Sequence, residues 1–141
     1  MKAKAILILL VWALICLTSC AVPLKNYKPA NPEESSIIST LITFEEAFNK
    51  VDSKAILSIM TDNARIMYGR EKKMATKDEY AKILPERFKE VGPISHSNPK
   101  IKINGDIATV STSLESSRGS LPILYKLKKL GDKWLILATE Y

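Results

Sequence analysis

The hydrophobic pattern divides the chain into three stretches with different periods. Residues 5–17 form an uninterrupted apolar run, and residues 33–92 place apolar side chains three and four positions apart. From Ile94 onward the period changes to two. Spacings of three and four put side chains on one face of a helix, whereas a period of two puts them on one face of a strand. The pattern therefore predicts helices first and an antiparallel sheet afterwards.

Two helices are predicted between residues 31 and 63. Asn31-Pro32-Glu33-Glu34 combines an N-cap side chain, a proline at the first helical position and acids near the positive end of the helix dipole. The helix is expected to run to about Lys50. Asp52 or Ser53 can cap a shorter second helix, which the turn formers Thr61-Asp62-Asn63 are expected to end.

A third helix is predicted from the capping box formed by Thr76 and Glu79. Pro85 lacks an N–H group and restricts the residue before it, so this helix is expected to be kinked or split there. Gly92-Pro93 is expected to stop it.

Strands are predicted at residues 64–68 and through most of the chain after residue 94. Asn104-Gly105 favours a tight hairpin, and Gly131-Asp132 favours a turn before the last strand. Ile94 has an even residue number, whereas Ile101 and Ile103 have odd ones, so a regular strand would place them on opposite faces of the sheet. A slip or bulge near residues 98–99 is needed if both sets face inward, and it would turn His96 inward with Ile94.

The apolar run near the N-terminus has the features of a signal peptide. Lys2 and Lys4 precede about 13 apolar residues, which is fewer than the roughly 20 needed to span a bilayer. Leu17-Thr18-Ser19-Cys20 then resembles the lipobox of bacterial lipoproteins. That resemblance implies cleavage before Cys20 and a diacylglycerol on its thiol, with acyl chains such as palmitate. An uncleaved membrane anchor is the alternative.

The expected domain organisation follows from this interpretation. Residues 1–19 are the lipoprotein signal peptide, residues 20–32 are the lipidated Cys20 and a flexible tether, and residues 33–141 are one α+β domain. Cys16 leaves with the signal and Cys20 is blocked by lipid, so no free thiol remains for a disulfide, a metal or catalysis. The protein is expected on the periplasmic or extracellular face of the cell envelope. Ala21, where an Asp would retain enteric-type lipoproteins at the inner membrane, favours the outer membrane.

Net charge argues against nucleic acid as a partner. Loss of Lys2 and Lys4 reduces 21 basic residues to 19, against 15 acidic ones, so the net charge falls from +6 to +4. That excess is too small for a nucleic-acid footprint. Four lysines alternate on two predicted strands and are expected to share the outer face of the sheet, where they could attract anionic lipids. They are Lys100, Lys102, Lys126 and Lys128.

The order of elements resembles the nuclear transport factor 2-like superfamily, which includes ketosteroid isomerases, scytalone dehydratase and SnoaL-like polyketide cyclases. The resemblance is carried by FEEAFNKVDSKAILSIMTDNARIMY, TKDEYAKIL, INGDIATVSTSL and LKKLGDKWLI. It implies a cone-shaped, curved antiparallel sheet wrapped around N-terminal helices, with a pocket at the wide end. The expected pocket wall consists of Phe44, Phe48, Ile66, Tyr68, Tyr80, Val110, Tyr125 and Trp134.

Catalytic candidates are few. Tyr68 stands where the isomerases of this superfamily have a carboxylate base, and residues 33–50 contain no tyrosine, so the isomerase site is absent on this interpretation. His96 is the single histidine and could act as a base with Tyr68 orienting it. The alternative is a surface or hydrogen-bonded structural histidine, which is more usual near the end of a strand. Asp62 is explained by turn formation, and Glu115 is expected to be solvated. The sequence suggests no metal site and no cofactor.

Three functions therefore stay open. The first is a non-catalytic envelope lipoprotein that binds a small apolar ligand or a protein partner in its pocket. The second is a dehydratase-, isomerase- or cyclase-like enzyme that uses His96. The third is a structural envelope module that dimerises through the sheet, since Leu135 and Leu137 are apolar on the face opposite Trp134.

Overall fold

The computed structural model describes residues 20–141, so the predicted signal peptide at residues 1–19, with Lys2, Lys4 and Cys16, lies outside the described residues. The helices are a short 3₁₀ turn (Leu24–Asn26), α1 (Pro32–Asn49), α2 (Ser53–Ser58) and α3 (Lys77–Val91). The strands are β1 (Met60–Tyr68), β2 (Lys73–Thr76), β3 (Ser95–Asn104), β4 (Ile107–Ser116), β5 (Gly119–Leu130) and β6 (Lys133–Glu140). Among residues 20–141, no helix has the length and apolar character needed to cross a membrane.

The strands form one curved six-stranded sheet in the order β2-β1-β6-β5-β4-β3. Every neighbouring pair is antiparallel except β1 and β6, which run parallel. The first long strand therefore pairs with the last one, and β3 and β2 are left as the two edges. The inward face of the sheet packs against α1 and α3, which confirms the predicted α+β plan.

Helix α1 begins and packs as its sequence predicts. The side chain of Asn31 accepts a hydrogen bond from the backbone N–H of Glu34 at 2.9 Å, and Pro32 is the first helical residue. The face that meets the sheet presents apolar side chains over about three turns, Ile37, Leu41, Phe44 and Phe48, all buried. Burying one such side chain contributes about 1.5–3 kcal/mol, so this face anchors the helix to the sheet.

The segment Thr61-Asp62-Asn63 forms the start of β1, and the prediction of a turn there is wrong. Asp52 caps α2 by accepting from the N–H of Ala55, and α2 ends at Ser58. Pairing with β6 then begins at once, because the N–H of Ile136 donates to the carbonyl of Ile59 at 2.8 Å. The pairing register shifts between Met60 and Arg65. Thr61, Asp62 and Asn63 lie within this shift, so the pairing of Met60 and Arg65 on either side keeps them in the strand as a bulge.

Helix α3 is continuous through Pro85, so the prediction of a split helix is wrong. The capping box of Thr76 and Glu79 is present as predicted, and Gly92 ends the helix with φ of +68°. Proline removes one backbone hydrogen bond from a helix interior. Leu84 and Phe88, which flank Pro85, are both buried in the core, and their packing holds the helix together across that gap.

The predicted slip in β3 is confirmed. The register between β3 and β4 shifts between Ser97 and Lys100, and Asn98 adopts the left-handed conformation with φ of 54°. His96 and Ile94 are both buried as a result. Ile103 pairs with the buried Ala108 and so lies on the inward face as expected, but it is 37% exposed because it is near the end of β3, which is an edge strand.

Part of the segment expected to be a flexible tether packs on the domain instead. Leu24 is only 2% exposed, and Pro23 forms a β-bridge with Ser97. The N–H of Asn98 donates to the carbonyl of Val22 at 2.8 Å, and the N–H of Val22 donates to the Asn98 side chain at 2.9 Å. We call these two hydrogen bonds the Val22–Asn98 clamp. They cover edge groups of β3 that would otherwise face solvent unpaired.

Candidate functional site

A cavity of about 220 Å³ opens at one end of the sheet, where β1 and β6 end and the β4–β5 turn lies. Six of the eight residues predicted to line the pocket do so: Phe44, Phe48, Ile66, Tyr68, Tyr80 and Tyr125. The remaining apolar lining was not predicted and includes Val91, Ile94, Leu114, Leu121, Ile123 and Tyr141. The interior is therefore largely aromatic and aliphatic, which is typical of a small-molecule site.

Trp134 and Val110 lie outside this cavity, although the sequence suggested them as part of its wall. Val110 is fully buried within the sheet core. Trp134 is at the opposite end of β6, where its indole N–H donates to Oε2 of Glu33 at 2.6 Å. Lys129 also donates to Glu33, and these hydrogen bonds, from Lys129 first and Trp134 second, lower the pKa of the Glu33 carboxyl. The end of the sheet that holds Trp134 is filled, and the other end holds the cavity.

His96 lies in a buried chain of three hydrogen-bonded side chains. Its Nδ1 is 2.9 Å from Oε2 of Glu45, and its Nε2 is 2.7 Å from the hydroxyl of Tyr125. Its backbone N–H also donates to the same Glu45 oxygen at 2.8 Å. The His96 side chain is fully buried, and the Glu45 side chain is 15% exposed.

The pKa shifts of the two neighbours define the hydrogen-bond directions in this chain. Burial alone would raise the pKa of Glu45, but the hydrogen bonds from the ring and the backbone of His96 outweigh it and the pKa is lowered. Burial raises the pKa of Tyr125 well above its usual value. An ionised Glu45 can only accept, so Nδ1 donates to it, and the protonated Tyr125 hydroxyl donates to Nε2. Both ring nitrogens of His96 and the Tyr125 hydroxyl then have a partner within these three side chains.

The predicted pairing of His96 with Tyr68 is absent from the part of the chain that the structure describes. His96 does not line the cavity, whereas Tyr68 is half-buried at its rim. The partners that His96 does have, Glu45 and Tyr125, were not predicted as a polar cluster. The sequence did indicate that Glu45 lies near the core, because it follows Phe44 and stands four positions after Leu41 on the apolar face of α1.

The two acidic candidates lie away from the cavity lining. Asp62 is fully exposed and its carboxylate is 3.3 Å from the amino group of Lys77. Glu115 is exposed and is reached only by the hydroxyl of Ser97 at 3.5 Å. Residues 20–141 contain no cluster of three or more His, Cys, Asp or Glu side chains that could hold a metal ion.

Tyr80 brings an unpaired hydroxyl to the cavity. Its side chain is 5% exposed and lines the cavity, and its hydroxyl makes no hydrogen bond with any other described residue. Burial raises the pKa of Tyr80 to about 12, against a lowering effect of Arg87. The phenol is therefore protonated at neutral pH and is a hydrogen-bond donor.

Three arginines supply all the charged side chains of the cavity lining within the described residues. Arg70 comes from the β1–β2 turn, Arg87 from α3 and Arg118 from the β4–β5 turn. Arg87 is bound to Glu90 at 2.8 Å and is close enough to Tyr80 and Tyr141 to affect their pKa values. Turn positions carry no periodic signal, which is why the sequence did not reveal this arginine rim, defined as Arg70, Arg87 and Arg118.

The predicted lysine face is confirmed by the strand register. Lys102 of β3 and Lys126 of β5 both pair with Thr109 of β4, so they lie in one row across the outer face. Lys100 is one row away on the same side of β3, and Lys128 is one row away on the same side of β5. These four lysines are on the opposite side of the sheet from the cavity.

Solved structures similar to this chain have the same fold. A protein of unknown function with a cystatin-like fold from Nostoc punctiforme is 18% identical with a TM-score of 0.67, and the match covers 80% of this chain and 92% of that one. An NTF2-like protein from Cytophaga hutchinsonii is 15% identical with a TM-score of 0.65, covering 77% and 95%. An NTF2-like protein of unknown function from Shewanella baltica is 17% identical with a TM-score of 0.64, covering 80% and 94%.

No protein-family profile and no curated protein sequence matches the chain. Sequence identities below 20% indicate a shared fold but do not indicate a shared activity. The domain thus has the nuclear transport factor 2-like α+β fold that the order of elements predicted, and its function has to be argued from the cavity itself.

Proposed function

We propose that this protein is a membrane-tethered envelope lipoprotein whose domain binds a small, mostly apolar ligand in the cavity without transforming it. The observation that carries the binding function is the cavity of about 220 Å³ among aromatic and aliphatic side chains. An engineered apolar cavity of about 150 Å³ is large enough to bind benzene. A cavity of the present size and composition is thus suited to a compact apolar molecule.

The arrangement of His96 favours binding over catalysis. A general base needs a free lone pair within reach of the proton that it removes. Nε2 of His96 is occupied by Tyr125 at 2.7 Å, and the imidazole does not contact the cavity. Because burial keeps Tyr125 protonated, the hydrogen-bonded side chains of Glu45, His96 and Tyr125 support the cavity wall and do not offer a base to a ligand.

The membrane attachment rests on the sequence Leu17-Thr18-Ser19-Cys20 and its position after an apolar run. Cys20 is exposed, as a site of lipid attachment must be. Each buried lipid methylene contributes about 0.8 kcal/mol, so two or three acyl chains such as palmitate give a stable anchor where one would be marginal. Ala21 after the lipidated residue favours placement at the outer membrane.

Mass spectrometry of the natively purified protein tests the binding function. We expect organic extraction to release a small molecule from the wild type and from Leu124→Trp, but not from Leu121→Trp. Leu121 lines the cavity, whereas Leu124 is on the same strand and faces outward, so the pair differs only in which side of the sheet is filled. Equal retention by both variants, or a wild type with no bound molecule that also fails to bind 1-octanol, would refute the proposal.

The lipid anchor has a separate test. The N-terminal peptide of the mature protein should begin at Cys20 and carry the mass of a diacylglycerol with or without a further acyl chain. Cys20→Ser should abolish this mass and the partition of the protein into a detergent phase. A wild-type peptide that retains residues before Cys20, or an unmodified thiol, would exclude lipidation.

Dimerisation through the sheet is a second candidate, favoured by apolar side chains on the outer face. Leu124 and Leu135 are partly exposed there, and Ile103 is 37% exposed at the edge. The experiment uses the lipid-free form, which we define as residues 20–141 with Cys20→Ser. Sedimentation of this form as a dimer at micromolar concentration, lost in Leu135→Glu, would support the candidate, and a monomer at high micromolar concentration would exclude it.

A further inference from the structure

The polar groups of the cavity are gathered at its open end. The arginine rim lies at two turns and one helix face around the mouth, and Tyr80 and Tyr141 line the wall beside it. Arg87 lines the same cavity as Tyr80 and Tyr141, and its charge opposes the effect of burial on the pKa of both phenols. The interior beyond this end is formed by Phe44, Phe48, Ile66, Ile123 and the ring of Tyr125.

The charged side chains that line the cavity mouth are all positive. No acidic side chain lines the cavity within the described part of the chain. Arg70 and Arg118 form no ion pair with any other described residue, and both are exposed. The adjoining cleft does contain carboxylates, but Glu90 is bound to Arg87 and Glu71 is bound to Lys73 at 2.8 Å, which leaves Glu86 alone against two unpaired arginines.

Three donor groups at this end, on Tyr80, Arg70 and Arg118, have no acceptor among the described residues, whereas Arg87 donates to Glu90 and Tyr141 donates to the Gly69 carbonyl. Tyr80 is protonated and only 5% exposed, and its hydroxyl is not among the fully buried polar atoms without a partner, so it is accessible from the cavity. Guanidinium groups bind carboxylates through paired N–H donors, and such charge-assisted bonds are about twice as strong as neutral ones. Tyr80 and the arginine rim together form an incomplete site for an anion.

We propose that the cavity ligand is an amphipathic carboxylate whose apolar body fills the aromatic interior and whose carboxylate accepts hydrogen bonds from the arginine rim and the Tyr80 hydroxyl. This inference rests on the proposed binding function and names the ligand class. Since an apolar cavity of about 150 Å³ holds the six carbons of benzene, a volume of about 220 Å³ is suited to a body of roughly six to eight carbons.

Calorimetric titration of the lipid-free form with three ligands of one chain length tests this assignment. Octanoate is expected to bind, 1-octanol to bind at least tenfold more weakly, and octylamine to bind more weakly still. Arg118→Gln should weaken octanoate about tenfold and leave 1-octanol unchanged, because one charge-assisted bond is lost. Tyr80→Phe should weaken octanoate several-fold.

Lys126→Gln is the matched control, because it removes the same charge from the outer face and should leave octanoate binding unchanged. Arg118 is exposed in a turn, so its substitution is not expected to unfold the domain, and circular dichroism checks this. Equal affinity for octanoate and 1-octanol, or equal effects of Arg118→Gln and Lys126→Gln, would overturn the carboxylate assignment and leave apolar binding in place. Failure of all three ligands to bind would overturn both proposals.

Discussion

The polar side chains at the two ends of the sheet differ in whether they find partners within the protein. At the packed end, defined by Glu33, Thr40, Lys129 and Trp134, the indole and the ammonium both donate to Glu33, and Thr40 donates to the Trp134 carbonyl at 2.7 Å. At the cavity end, defined by Tyr68, Tyr80, Arg118 and Tyr141, the Tyr80 hydroxyl and the Arg118 guanidinium have no partner among the described residues, and Tyr141 donates only to the Gly69 carbonyl at 3.3 Å.

This difference separates groups that build the fold from groups that are available to a ligand. Both ends contain aromatic residues with a polar atom, so composition alone does not distinguish them. A donor that already has an acceptor within the protein contributes to stability, whereas an accessible donor without one is free to bond a ligand. The predictions below compare the two ends, and all use urea unfolding of the lipid-free form unless another measurement is named.

Trp134→Ala should have the largest effect on stability. The side chain is 1% exposed and is bonded to Glu33, so its removal leaves both a large void and a carboxylate with one partner fewer. We expect the free energy of unfolding to fall by about 3–5 kcal/mol. A loss below 1 kcal/mol would mean that this end is not the structural core of the domain.

His96→Ala should come next, because it breaks the buried chain between α1 and the sheet. Both Glu45 and Tyr125 lose a partner, and we expect a loss of about 2–4 kcal/mol. Tyr125→Phe leaves only the His96 Nε2 unpaired and should cost about half as much. An enzyme that uses His96 would instead lose turnover with its stability largely intact, so equal stability of wild type and His96→Ala would revive the catalytic candidate.

The contribution of Glu45 should depend on pH in a defined direction. Its folded pKa is lower than the ordinary value of 4.5, so the stability it supplies is present above pH 4.5 and is lost as the pH falls through the folded pKa. The gap in stability between wild type and Glu45→Gln should therefore shrink in acid. A gap that is constant between pH 7 and pH 3 would contradict the hydrogen bonds between an ionised Glu45 and His96.

Tyr80→Phe should have the smallest effect on stability, although Tyr80 is nearly as buried as Trp134. Its hydroxyl has no partner to lose among the described residues, so we expect a change within about 0.5 kcal/mol, or a slight gain. The same substitution should weaken octanoate binding. A loss of stability above 1 kcal/mol would indicate that the hydroxyl has a protein partner and would remove it from the proposed carboxylate site.

The features that the sequence predicted correctly are those set by near neighbours. The caps at Asn31 and Thr76 depend on residues three positions away, and the β3 slip follows from the parity of Ile94 and Ile101. Six cavity residues were found because they are apolar at regular positions on α1, β1, α3 and β5.

The features that were missed depend on contacts between distant residues. Thr61-Asp62-Asn63 is held in β1 because Met60 and Arg65, on either side of it, pair with β6. Trp134 is excluded from the cavity because the β5–β6 turn lies at the packed end. The sequence around a strand does not indicate which of its ends will be packed with side chains and which will border a cavity. The arginine rim is assembled from a helix and two turns that have no period in common, so only the tertiary structure brings it together.

The Val22–Asn98 clamp changes the geometry of the membrane attachment proposed for Cys20. A free tether of residues 21–31 would have a root-mean-square length of roughly 17–20 Å, whereas the residues between Cys20 and the clamp allow only about 8 Å. The volume that the anchored domain explores is thereby reduced on the order of tenfold. The lipid would then hold the β3 edge beside the bilayer, so the orientation of the domain at the membrane surface would be set by two hydrogen bonds.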